Sequence, residues 1–201
     1  MNMIIREFDG NSPLFVLVGE HEPEAFHNAL PDIRMLAVSG FDWNEKLSPW
    51  PAPRVFRNGD DFGGKADELI EELLEALKQY PGRKYIAGYS LAGLFALYTA
   101  TKTDQFEGCA SVSGSLWYPN FEDYIQTHPV RCRSVYLSLG DLEKNSRNPL
   151  MKTVEEKTER IGNIIAQYAD TMFEMNPGNH FNEPEKRMAK AVRGLLQMQQ
   201  K

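Results

Sequence analysis

Arg83-Lys84-Tyr85-Ile86-Ala87-Gly88-Tyr89-Ser90-Leu91-Ala92-Gly93-Leu94 is the stretch whose reading decides the fold. The run ending in Ile86 and Ala87 reads as a buried strand. Gly88 to Ala92 turns the chain sharply. Leu91 to Ala100, rich in Leu, Ala and Phe, reads as a buried helix. Strand, tight turn with a central Ser, and helix make the setting of a nucleophile elbow, which holds its Ser strained and exposed at the end of a strand. Strand and helix nearly touch there, so small residues are needed two places before and two places after the Ser. Gly88 and Ala92 meet that need, Ala92 standing where the usual motif has glycine. Taken alone, the pentapeptide fits a turn with an incidental Ser equally well.

Working outward, short apolar runs at 14–18, 33–38, 108–114, 133–140 and 171–175 read as further buried strands, with a short edge strand over 3–8. Amphipathic or apolar stretches between them predict helices over 23–30, 66–80, 120–127, about 150–168 and 184–199. Buried strands alternating with helices imply an α/β fold: a doubly wound, mostly parallel sheet with helices on both faces. No linker, repeat or large insertion interrupts the pattern. The expectation is therefore one domain over 1–201 without a large cap domain. Residues 41–53 carry prolines at 49, 51 and 53, so they are expected to be irregular. Such folds place their sites in loops beyond the carboxyl ends of the strands. Those loops hold Glu20, Ser90, Trp117, Glu143 and His180.

The formal net charge is −6, and basic residues form no cluster longer than one or two. Nucleic acid and anionic membranes are therefore not expected partners. No stretch approaches the ~18 apolar residues of a membrane span. The opening residues lack the apolar centre of a signal peptide. Cys109 and Cys132 have no metal-like spacing and lie in or beside apolar segments, so reduced, buried thiols are expected. A cytoplasmic location is the resulting expectation.

A Ser hydroxyl needs a base within hydrogen-bond reach, and the base needs an orienting carboxylate. Among His21, His27, His128 and His180, only His180 follows the last strand and precedes the last helix. That satisfies the chain order Ser, acid, His expected of this fold. The acid should follow the strand between them, where Asp141 and Glu143 both lie. Glu143 is preferred because it stands far enough past the strand to curl back across the site; Asp141 is the alternative. For an oxyanion, the backbone N–H of Leu91 lies just after the Ser at the positive end of a helix. The second donor is assigned to the backbone N–H of Glu20, after the 14–18 strand, with His21 behind it. Trp117 follows the strand next to the elbow strand and is expected to wall a substrate pocket. Trp43, Trp50 and Tyr89 are expected to add aromatic surface, anchoring on the core being the other role open to each.

With these pieces assembled, the chain resembles the α/β-hydrolase superfamily, and more narrowly esterases of the esterase D and enterochelin (siderophore) esterase type. The resemblance is carried by Ile86 to Leu94, by Ser113-Gly114-Ser115-Leu116-Trp117-Tyr118, by Gly140-Asp141-Leu142-Glu143-Lys144 and by Gly178-Asn179-His180-Phe181. It implies a serine hydrolase of carboxylic esters, with Ser90 as nucleophile, His180 as base and Glu143 at the usual acid position. Some siderophore esterases of this type work with a Ser-His pair. The expected partner is a small-molecule ester; no cofactor and no metal are expected. An acyltransferase, or a non-catalytic binding protein on the same fold, are the competing functions.

Overall fold

In a computed structural model, residues 3–19 and 23–199 of the protein are described. Strand β1 (Ile4–Phe8) and strand β2 (Asn11–Val18) precede helix α1 (Pro23–Ala29) and strand β3 (Ile33–Ser39). A short helix α2 (Trp43–Lys46) and two-residue strands β4 (Pro51–Ala52) and β5 (Phe62–Gly63) lead to α3 (Ala66–Leu77). Then come β6 (Lys84–Tyr89), α4 (Leu91–Lys102), β7 (Gly108–Val112), α5 (Phe121–Thr127), β8 (Ser134–Gly140), α6 (Val154–Ile165), β9 (Asp170–Asn176) and α7 (Pro184–Met198).

Among the described residues the main sheet has seven strands in the order β1-β3-β2-β6-β7-β8-β9. Only β1 runs antiparallel to its neighbour in it. Side chains along each central strand alternate between two cores, as the period of two demands. Leu14, Val16 and Ile86 enter the core beneath α3, α4 and α6, while Phe15, Leu17 and Tyr85 enter the core beneath α1 and α7. The sheet is thus covered on both faces, and its parallel strands are apolar on both sides. Helix α4 is buried along nearly its whole length, which explains its lack of a polar stripe. No large cap is inserted among the described residues.

The 41–53 stretch is more ordered than its prolines imply, which corrects the expectation of an irregular loop. Asp42 caps α2, its side chain accepting from the Glu45 N–H at 2.8 Å. Asp-x-x-Glu at 42–45 is a capping-box pattern, and it is the signal that marks this helix. The Ser48 hydroxyl accepts from the Gly64 N–H at 2.8 Å and so ties the segment to β5.

The parallel registers bring Tyr89 opposite Val112, Val112 opposite Ser138, and Gly140 opposite Asn176. The loops after β6, β7, β8 and β9 therefore leave the sheet side by side. Cys109 and Cys132 are buried free thiols, and burial pushes the Cys132 thiol up to about 12. No helix among the described residues is long and apolar enough to cross a membrane.

Candidate active site

Ser90 sits between β6 and α4 with φ 60° and ψ −123°. Positive φ at a residue bearing a Cβ costs on the order of 1–3 kcal/mol, so the surroundings must hold it. Its N–H donates to the Val112 carbonyl at 3.0 Å, and its carbonyl accepts from Gly93 at 3.0 Å, Leu94 at 3.2 Å and Ser115 at 3.0 Å. Gly88 is required by close approach: a Cβ there would lie 2.2 Å from the Ala92 carbonyl oxygen and 2.9 Å from the Ala92 Cβ. Alanine at 92 is thus small enough for the turn, provided that 88 is glycine.

His180 lies in the loop between β9 and α7. Gly178 opens that loop with φ +98°, the Asn179 N–H donates to Asn182 Oδ1 at 2.7 Å, and the Phe181 N–H donates to Asn179 Oδ1 at 2.9 Å. The ring bridges two partners. Nε2 is 3.0 Å from Ser90 Oγ, and Nδ1 is 2.8 Å from Glu143 Oε2. An ionised carboxylate only accepts, so Nδ1 is the donor to Glu143, and in the neutral imidazole this leaves Nε2 to accept from the Ser90 hydroxyl.

Glu143 begins a single 3₁₀ turn after β8, and its side chain is only 5% exposed. Its Oε1 accepts from the Gly140 N–H at 2.6 Å and from Arg187 Nη1 at 3.2 Å. Burial opposes ionisation of this carboxyl. The His180 hydrogen bond and charge, with the Gly140 N–H and the Ser113 hydroxyl, outweigh it and hold the carboxyl below its usual range. Asp141 does not reach His180. It is exposed, and its Oδ1 accepts from the Gly178 N–H at 2.8 Å, stitching the two loops together.

Ser90, Leu91, Glu143 and His180 open on a cavity of about 850 Å³. Trp43 and Trp117 line it, together with Phe56, Phe62 and Phe181. None of these last three was expected in the pocket, because isolated aromatics outside a periodic segment carry no signal of the face they line. The wall is completed by the segment after β8, where Asn148 Nδ2 donates to the Val55 carbonyl at 2.8 Å. The wall thus draws on two separate parts of the chain, residues 43–62 and 142–154, besides Trp117 and Phe181.

Two expected pocket residues lie elsewhere. Trp50 packs edge-on against Tyr98 and Tyr118, and its Nε1–H donates to the Pro119 carbonyl at 3.0 Å. An indole N–H needs a partner when half-buried, and this one is found within the protein. Tyr89 supports the His180 loop: its hydroxyl donates to the His180 carbonyl at 2.7 Å and its ring lies 5.4 Å from the imidazole. Leu91 opens α4, where the first N–H groups lack partners inside the helix. Glu20 and His21, the expected second oxyanion position, lie outside the described residues.

Arg187, in the first turn of α7, was not singled out from the sequence. It is 3% exposed and donates to groups on both sides of the Glu143–His180 pair. Its signal is faint: it precedes the small buried residues Ala191 and Gly194 by four and seven positions, on one helix face.

The doubly wound sheet, the strained Ser after a central strand and the cavity above it define the α/β-hydrolase class. Residues 65–182 match the family model described as "Putative esterase", and the chain belongs to that family. It is 25% identical over 146 residues to "Uncharacterized protein YbbA" of Bacillus subtilis (strain 168), the match covering 66% of this chain and 58% of that protein. The chain thus spans under two thirds of that relative's length. Among solved structures, an IroE-like serine hydrolase from Shewanella oneidensis matches with a TM-score of 0.77 at 12% identity, over 97% of this chain and 75% of that one. The siderophore hydrolase EstA from Aspergillus nidulans matches with a TM-score of 0.67 at 16% identity, over 98% and 95%. At these identities the likeness is one of fold.

Proposed function

We propose that the protein hydrolyses a carboxylic ester through Ser90, His180 and Glu143 by way of an acyl-enzyme. The observation that carries this reading is the unbroken line of hydrogen bonds from Ser90 Oγ to His180 (3.0 Å) and from His180 to Glu143 (2.8 Å), opening on the cavity. His180 Nε2 takes the Ser90 proton as Oγ attacks the ester carbonyl. Glu143 holds the imidazole tautomer and balances the imidazolium that forms. The Leu91 N–H, at the positive end of α4, faces the developing oxyanion. The imidazolium then protonates the leaving alcohol as the C–O bond breaks. Water, deprotonated by the same nitrogen, attacks the acyl-Ser90 ester, and the imidazolium returns the proton to Ser90 Oγ as the acyl C–O bond breaks and the acid leaves. The aromatic cavity wall favours a substrate with a bulky apolar acyl or alcohol group.

The test is labelling with a fluorophosphonate probe, alongside Ser90→Ala, followed by a screen of p-nitrophenyl esters of increasing size. Labelling of the wild type alone, with ester turnover, is expected. Equal labelling of both proteins, or of neither, overturns the nucleophile assignment. Labelling with acyl transfer to an added alcohol, in place of hydrolysis, would turn the reading toward a transferase.

A further inference from the structure

We infer that Arg187 is a positioning residue for the proposed reaction: it cross-braces the acid and the base by binding Glu143 and the backbone of the His180 loop at once. The inference rests on the reading of Ser90, His180 and Glu143 given above. A buried charge costs several kcal/mol unless it is fully paired. The Arg187 guanidinium meets that cost with partners from separate parts of the site. Nη1 donates to Glu143 Oε1 at 3.2 Å, Ser113 Oγ at 3.0 Å and Tyr89 OH at 3.4 Å. Nη2 donates to the carbonyls of Pro177 at 2.9 Å and Asn179 at 3.0 Å.

The division of labour between the two nitrogens is what matters. Nη1 occupies Glu143 Oε1 and leaves Oε2 for His180. Nη2 grips the loop just ahead of His180, so the imidazole is placed relative to the same rigid, planar group. Ser113 and Tyr89 tie that group back to the strands beside the nucleophile. Gly140 gives independent support. A Cβ there would lie 2.2 Å from the Gly178 oxygen and 2.9 Å from Arg187 Nη2. The close packing of acid loop, base loop and guanidinium therefore demands a residue without a side chain at that point.

Lysine keeps the charge of Arg187 but cannot span the separated acceptors with one ammonium. A misplacement of about 1 Å in a catalytic group can cost on the order of 10²-fold in rate. The experiment measures kcat, KM and the fluorophosphonate labelling rate for Arg187→Lys and Arg187→Met, with near-UV circular dichroism as the check on folding. Folded Arg187→Lys is expected to lose at least about tenfold in kcat and labelling rate, with KM within about twofold. In a Glu143→Gln background the same substitution is expected to cost much less, because the two residues act as a unit. A folded Arg187→Lys with wild-type kcat, or losses that multiply independently of Glu143, would overturn the inference. If Arg187→Met does not fold, Arg187→Lys and its cycle with Glu143→Gln decide alone. A wild type that neither labels at Ser90 nor cleaves esters would remove the reading beneath it, and the inference falls with that reading.

Discussion

Glu143 Oε2 stands 2.8 Å from His180 Nδ1, while the neighbouring carboxylate of Asp141 is spent on the Gly178 N–H of the same loop. Two acids two residues apart thus have different tasks. Glu143→Gln is expected to lower kcat by on the order of 10⁴-fold, by analogy with loss of a triad acid. Asp141→Asn retains an oxygen acceptor for Gly178 and is expected to stay within about tenfold of wild type. Steady-state kinetics on one p-nitrophenyl ester compares them, and the reverse ranking would reassign the acid.

The Glu143 carboxyl titrates below its ordinary value of 4.5. A depressed acid contributes stability that is fully present above the unfolded value and is lost as pH falls through the folded one. Below 4.5 the unfolded chain binds the proton first, so stability falls with falling pH. Glu143→Gln removes this one contribution while other depressed carboxyls, such as Glu174, remain. Urea unfolding between pH 4.5 and about 3 should therefore give a shallower pH slope for Glu143→Gln than for wild type. Parallel slopes would contradict the assignment.

At the elbow, Gly88→Ala drives a methyl group to within 2.2 Å of a backbone oxygen. An expected loss of about 3 kcal/mol or more should appear as a large fall in Tm. Ala92→Gly restores the commoner motif residue. Its expected cost is only about 1 kcal/mol of helix propensity, with Ser90 still labelled by fluorophosphonate.

Trp43 and Trp50 separate binding from packing. Trp43 lines the cavity, whereas Trp50 is fixed to Pro119 and Tyr118. Trp43→Ala is expected to raise KM for bulky aryl esters more than for acetate. Trp50→Ala is expected to cost about 3–5 kcal/mol of stability while kcat/KM per folded molecule is preserved. Paired kinetics and thermal melts on both variants check the distinction.

The parts of the site visible in the sequence are those set by local rules. Ser90 is marked by a turn that only small neighbours permit, and His180 by its position after the last apolar run. The mostly parallel sheet follows from the alternation of buried strands and helices. Arg187 was hidden because a basic residue among Glu185, Lys186 and Lys190 reads as a solvated face. Its burial depends on contacts with residues 98 and 74 positions away in the chain. Trp50 misled for the same reason in reverse. An aromatic in a loop signals only that something will cover it, and here the cover is α5 and the residues before it.

Glu143 and His180 hang from β8 and β9, and β9 is the last strand of the sheet. The pairing of Gly140 with Asn176 acts as the ruler that sets Glu143 against His180. A slip of two residues would carry His180 roughly 6.6 Å along the strand, beyond the grasp of either partner. Edge strands fray more easily than the centre of a sheet. Heating should therefore unseat His180 first, while Ser90, which follows a central strand, still keeps its native turn.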